Sequence, residues 1–301
     1  MGTGHGHAEP NAGATHRWRL QAAFALIAVF FLVELASAVT SGSLSLLSDA
    51  GHMAADVVAL GAALVATRIA GRPDTTGRRT FGSYRAEVFA SGLAVLLMLG
   101  VAAYIVVAAV GRIGAEPEVA SRTMLVVGAL GLAVNLVAVV LLRGGAADSL
   151  NVKGAYLEVV ADTLGSVGVI VAAVLVSATG SSLWDTVVAL AIAVFVAVRA
   201  VLLGREVLAV LGQHAPAGIV PADAEAALRG VGAVVDVHDL HLWTLTSGMH
   251  VATVHLVCDD DADPTGVLTE AAALLRERFA IDHATIQVEP RSAHACVETS
   301  W

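Results

Sequence analysis

Charge is what this sequence has least of. Asp, Glu, Lys and Arg make up 14% of its 301 residues, and hydrophobic residues make up 57%. Soluble domains carry about a quarter charged residues, so neither a soluble fold nor a nucleic-acid partner suits most of the chain. Cysteine is nearly absent too. Cys258 and Cys296 cannot build a disulfide framework and read as free thiols or weak metal ligands. No cleavable signal peptide is evident: the first 16 residues are polar and dotted with His5, His7 and His16, and the apolar run behind them is long enough to stay in a membrane. No HExxH motif occurs, and no catalytic base flanks an open coordination position, so an enzyme reading has no support. No repeat at a solenoid period is present. The net charge of -9 says little, because the acids concentrate in the C-terminal third.

What the chain has in place of charge is long apolar runs. Mean hydropathy is +0.78. Six candidate spans follow one another: Leu20–Thr40, Leu46–Arg68, Ala86–Arg112, Thr123–Leu142, Gly154–Ala178 and Leu183–Gly204. Each is long enough to cross a hydrocarbon core of about 30 Å. Spans one and two are linked by SGSLS, and spans five and six by ATGSS, so each pair should form a hairpin. Arg and Lys crowd one side (Arg17, Arg19, Arg68, Arg72, Arg78, Arg79, Arg85, Arg143, Lys153, Arg205), while Arg112 and Arg122 sit on the other. The rich side is cytoplasmic, which puts both termini inside; the expectation is a multi-pass protein of the plasma membrane.

After Arg205 the texture changes. A helix is expected from Pro221, then two strands, Val234–Trp243 and Met249–Val257, joined by TLTSG. A second helix runs from Pro264 to about Phe279, and a last strand spans Ala284–Glu289. Helix–strand–strand–helix–strand fits a small ferredoxin-like α+β domain. The domain plan is a flexible segment over 1–17, a six-helix transmembrane bundle over 18–205, a cytoplasmic ferredoxin-like domain over 206–290, and a tail over 291–301.

The greasy segments contain ionisable residues at helical spacing. Asp49, His52 and Asp56 lie on one stripe of span two, and Glu158 and Asp162 on one stripe of span five. Small residues flank both stripes (Ala50, Gly51, Ala54 and Ala55; Ala161, Gly165 and Ser166) and let helix backbones come close. Ionisable groups in a span usually serve ions, protons or a ligand. His52, Asp56, Glu158 and Asp162 offer four ligands, the number a tetrahedral Zn²⁺ site uses. A dication must displace protons from such ligands, so metal and protons compete, the basis for an antiporter. Asp49 supports the ligands or caps the helix. Glu34 and Asn135 join helices, hydrogen-bond to ligands or carry protons. Asp185, near a helix start, reads as a cap.

Five stretches carry a resemblance: SGSLSLLSDAGHMAAD, FGSYRAEVFA, NVKGAYLEVVADTLGSVGVI, VHDLHLWTLTSG and ATIQVEP. Together they resemble the cation diffusion facilitator family, of the bacterial cobalt–zinc–cadmium resistance type, from about Leu20 to Pro290. The resemblance implies a homodimer that exports divalent metal from the cytoplasm against protons by alternating access, with transport ligands at His52, Asp56, Glu158 and Asp162. Zn²⁺ is the first-choice cargo, with Cd²⁺ and Co²⁺ beside it. Many zinc-selective members have a His where Glu158 stands, and the oxygen-rich set is harder. Export of Mn²⁺, Fe²⁺ or Co²⁺ by the same fold is the near alternative; a non-transporting metal sensor is a distant one. The His-rich loop between helices four and five is absent, and the loop after helix two offers Asp74 but no His, so a metal site there is expected to be missing.

In the cytoplasmic domain the resemblance points to a regulatory metal on His238, His255 and Glu289, with Gln287 where some members have a ligand His. Strand alternation places His238 and His241 on opposite faces, and likewise His250 and His255. His283, and His294 with Cys296 in the tail, complete the inventory. Arg85 and Glu87, at the start of span three, read as snorkelling anchors or salt-bridge partners.

Overall fold

The computed structural model describes residues 17–70, 78–112, 117–143, 150–246 and 248–293. His5, His7, His16, Asp74, His294 and Cys296 lie outside them. Six long helices come first: α1 (Arg17–Ser41), α2 (Leu44–Ala70), α3 (Arg85–Gly111), α4 (Ser121–Arg143), α5 (Leu150–Thr179) and α6 (Leu183–Leu211). By length and composition, α1, α3, α4, α5 and α6 can each cross a membrane. The remaining helix, α2, whose side chains are described only in part, has 27 residues and is about 40 Å long. The chain is a multi-pass membrane protein. Large apolar side chains such as Val39, Leu96, Val107 and Leu164 point outward, as a lipid-facing surface requires.

The described residues divide into two compact units. One holds the chain up to Leu64 and Ala90–Gly204; the other holds Val65–Phe89 and everything from Arg205 onward. Helix α6 runs on past the expected domain boundary at Arg205 to Leu211: no Pro interrupts it, and Gly204 is carried within it.

In the first unit α4 packs on both α1 and α5. Gly131 of α4 is where the Phe30 ring of α1 sits: a Cβ there would lie 2.8 Å from Cζ. The α1–α2 and α5–α6 turns each use a left-handed glycine, Gly42 (φ 67°) and Gly180 (φ 71°), conformations that side chains resist. The α1–α2 turn is held from a distance. Asp185 caps α2, not its own helix α6. Its fully buried carboxylate accepts from the backbone N–H of Leu44 (2.8 Å) and Ser45 (3.0 Å), and from the hydroxyls of Ser43 (2.7 Å) and Ser45 (2.6 Å). Arg112, at the end of α3, donates to the same carboxylate (3.2 Å) and to the Gly42 carbonyl (2.6 Å). Orphan donors of the first turn of α2 are thereby satisfied by a negative charge at the positive end of the helix dipole.

The second unit contains α7 (Pro221–Arg229), β1 (Val234–Thr246), β2 (Met249–Cys258), α8 (Pro264–Phe279) and β3 (His283–Pro290), ending in a short 3₁₀ turn. The sheet order is β1–β2–β3, antiparallel then parallel. Leu228, Leu256, Leu275 and Ile281 fill the core between helices and sheet. Both helices start on proline, whose missing N–H costs nothing there. Asp263 caps α8 by accepting from Thr265 and Gly266, each at 3.1 Å. Within this unit the Thr246 hydroxyl donates to Glu87 (2.8 Å).

Replacing Asp185 with Ala strips the cap and leaves Arg112 without its partner. We expect Asp185→Ala to cost about 3–5 kcal/mol, read as a lowered unfolding temperature in detergent. Asp282→Ala, at a side chain 82% exposed, should leave that temperature unchanged.

Candidate metal centre

The ionisable stripe of α2 faces inward along its length: Asp49, His52 and Asp56 are 2%, 2% and 7% exposed. Close packing puts it there. A Cβ on Gly51 would strike the Val101 side chain of α3, and one on Gly165 of α5 would strike the Asp49 carboxylate. The second contact brings α5 against α2 one turn from His52. His52 Nε2 then lies 3.2 Å from Asp162 Oδ1, while His52 Nδ1 lies 3.7 Å from Asp56 Oδ2. One ligand atom from each of His52, Asp56 and Asp162 falls within 4.8 Å of the others. His52 Nδ1, Asp56 Oδ2 and Asp162 Oδ1 are buried and have no hydrogen-bond partner. Leaving such atoms unsatisfied is costly. A cation held among these residues would satisfy the two carboxylate oxygens, with metal–ligand bonds of about 2.0–2.2 Å.

Glu158 is not one of these three mutually close ligands, though its carboxyl touches that of Asp56. It sits one turn before Asp162, about a third exposed, and its carboxylate is taken by the guanidinium of Arg199 on α6. The same guanidinium contacts His52 Nε2 through Nη1 at 2.9 Å. Phe195, one turn earlier on α6, stands edge-on to the His52 ring with centroids 6.2 Å apart, and Arg199 lies 5.9 Å from the Phe195 centroid. Helix α6 is therefore a third wall of the site. The expectation of two contributing helices missed it, although a lone Arg inside ALAIAVFVAVRAVLLG was the available signal.

Of the three supporting residues, Glu34 and Asp49 meet carboxyl to carboxyl and Asn135 lies on another helix. Asp49 packs against Gly165. Asn135 of α4 donates to the Ser166 hydroxyl of α5 at 3.3 Å, and its Oδ1 has no partner. Glu34 of α1 is 1% exposed and keeps Oε2 unpartnered.

A second cluster lies on the sheet. His238 and His255 are directly opposite in the β1–β2 ladder, their rings edge to face at 5.0 Å. Glu289, on β3, reaches both: Oε1 is 2.9 Å from His255 Nδ1 and Oε2 is 3.3 Å from His238 Nε2. Gln287 is not a ligand substitute here; its amide donates to Glu289 Oε1 at 2.8 Å and orients the carboxylate. Two imidazoles and a carboxylate within 4.8 Å of one another fit a divalent metal.

The alternation rule fails at one point. Asp239 adopts φ 53° in a bulge, so β1 uses three residues to travel from His238 to His241 while β2 uses two, from His255 to Thr253. His241 thus returns to the face of His238, and its Nε2 meets Asp239 Oδ1 at 3.0 Å. His250 instead meets the Thr244 hydroxyl (3.3 Å), and His283 stacks edge-on to Phe81 with centroids 5.6 Å apart. Cys258 is buried, outside the cluster. Burial pushes its thiol up from the usual value and the Asp259 charge adds to this, the opposite of what a thiolate ligand needs.

Residues 20–211 match the cation efflux transmembrane domain, and residues 217–291 match the cation efflux protein cytoplasmic domain. The metal cation efflux system protein CzcD of Cupriavidus metallidurans is 43% identical, covering 96% of this chain and 90% of that protein. The cadmium, cobalt and zinc/H(+)-K(+) antiporter of Bacillus subtilis is 33% identical, covering 95% and 92% respectively. The zinc transporter ZitB of Escherichia coli is 33% identical, covering 92% and 88%.

His255→Ala, made in protein carrying Asp162→Ala to silence the membrane cluster, should weaken Zn²⁺ binding by more than the roughly 10–100-fold that loss of an outer partner costs. His250→Ala should leave it unchanged. Titration calorimetry reads both.

Proposed function

This chain belongs to the cation efflux family, whose members move metal cations and are not enzymes, and from that premise we propose that it exports Zn²⁺ from the cytoplasm in exchange for protons, with Cd²⁺ and Co²⁺ as further cargo. The observation that carries the reading is the buried trio of His52, Asp56 and Asp162, with a carboxylate oxygen of each acid lacking a hydrogen-bond partner. His52 supplies a borderline donor suited to zinc, and the carboxylates supply charge. Glu158 serves as a fourth ligand or as the anchor of Arg199.

Charge counting favours exchange. Asp56, Glu158 and Asp162 face one guanidinium, that of Arg199, and a neutral His52 adds nothing. Ionised, the cluster is two positive charges short, which one dication or two protons supply equally well. A relative named as an antiporter of cadmium, cobalt and zinc supports carrying this exchange over. Cargo reaches the trio from the cytoplasmic side, protons from the other, and rearrangement of the helices around α2 alternates the access. Both termini are cytoplasmic, the membrane is the plasma membrane, and the protein works as a homodimer joined through its cytoplasmic domains. Metal on His238, His255 and Glu289 would be a resident, regulatory ion there.

A second reading, Mn²⁺, Fe²⁺ or Co²⁺ export, draws on the oxygen-rich donor set. A non-transporting sensor leaves the buried trio without a purpose.

In liposomes, the protein should drive Zn²⁺ flux that follows an imposed pH gradient. His52→Ala and Asp162→Ala, folded and reconstituted equally, should reduce it to the protein-free leak. Parental flux in either variant would sink the site, and flux indifferent to the pH gradient would sink the coupling.

A further inference from the structure

Arg199 is a full positive charge placed inside the ligand set, and its geometry with His52 has a consequence. A guanidinium only donates hydrogen bonds. The 2.9 Å contact between Arg199 Nη1 and His52 Nε2 therefore requires that Nε2 be the accepting nitrogen, with its lone pair aimed at Arg199. A metal ion would coordinate through the lone pair of an imidazole nitrogen. At Nε2, guanidinium and metal are mutually exclusive. His52 Nδ1 is the alternative donor, and its carboxylate neighbour is Asp56, at 3.7 Å. Nε2 is the nitrogen nearest Asp162, at 3.2 Å, so an ion held by both residues uses Nε2.

The guanidinium is also anchored. Its Nη2 pairs with Glu158, and Phe195 flanks it from its own helix. The planar fork thus spans two residues, Glu158 through one arm and His52 through the other, and can release one while keeping the other.

We infer that Arg199 is a built-in competitor for the cargo: metal enters by displacing the guanidinium from His52 Nε2, and the guanidinium returns to that nitrogen to help expel the metal. This rests on reading His52, Asp56 and Asp162 as the transport site. A tethered cation scales apparent affinity down to the fraction of time the lone pair is free. It also screens the carboxylates between cargo ions, so the site never stands as bare charge in lipid. Tight capture is sacrificed for release.

The test is Zn²⁺ binding to purified full-length protein carrying Glu289→Ala, which removes the cytoplasmic cluster. Arg199→Gln is expected to bind Zn²⁺ about tenfold more tightly than Arg199 protein, and in liposomes to saturate at lower Zn²⁺ with a lower maximal flux. Unchanged or weaker binding overturns the inference, because a merely structural or ligand-positioning arginine gives that result. Should Arg199→Gln fail to fold by gel filtration, Arg199→Lys decides: it keeps the charge but not the fork, and tighter binding is again expected, unchanged or weaker binding again fatal. His52→Ala in the same background separates the two ideas. If it binds Zn²⁺ like its parent, the site itself is misassigned, whatever Arg199 does.

Discussion

A carboxylate inside a bilayer needs a counter-charge within reach, and the membrane unit is organised around that need. Glu34, Asp49, Asp56, Asp162 and Asp185 are all nearly or fully buried. Asp185 has its answer in Arg112 and four further donors. It is a closed account, and the result is a rigid clamp on the first turn of α2. Asp56 and Asp162 have no such completeness: one imidazole and one half-committed guanidinium stand against them. The same physics, satisfied at one end of α2 and short of satisfaction at its middle, yields a fixed point and a candidate ion site on one helix. Burying ionised groups without full compensation costs several kcal/mol, so an incomplete cluster invites a mobile cation.

Helix α2 can present those groups to three neighbours only because its surface is small-featured. Gly51 admits Val101 of α3. Ser48 donates to the Ala189 carbonyl of α6 at 3.3 Å. Asp49 enters the space that a missing Cβ leaves at Gly165 of α5. Association inside lipid gains nothing from hydrophobic burial and depends on such close fits and buried hydrogen bonds. A bulkier residue at Gly165 would push α5 away from His52 and open the 3.2 Å approach to Asp162.

Most of the architecture was legible in the sequence because its signals are local. Apolar run length marked the helices, Pro221 and Pro264 marked helix starts, and strand composition marked β1 to β3. Spacing alone put Asp49, His52 and Asp56 on one stripe. What was not legible depends on tertiary proximity or on backbone irregularity. Asp185 capping a helix that starts 141 residues earlier follows from packing, not from its neighbours in the chain. Arg199 lay in plain view, yet its partners Glu158 and His52 belong to two other helices. The Asp239 bulge inverted a parity argument, because alternation counts residues and a bulge adds one. Glu158 shares the stripe of Asp162, but a stripe tells which face a side chain leaves from and not which partner captures it.

The two clusters share a chemistry and differ in their support, and that difference matches what each must do. On the sheet, Glu289 is oriented by Gln287 and bridges two histidines held opposite each other by backbone pairing. Outer partners of this kind raise metal affinity, and a ladder of backbone hydrogen bonds gives the ligands little freedom to part. Such a site suits an ion that stays. In the membrane His52 and Asp56 come from α2 and Asp162 from α5, two helices with no backbone bonds between them, and Arg199 contacts a ligand nitrogen in place of steadying it from behind. Helices can shift against one another where paired strands cannot. A site divided between helices, with a guanidinium against one of its ligand nitrogens, suits the proposed passage of an ion better than its permanent residence.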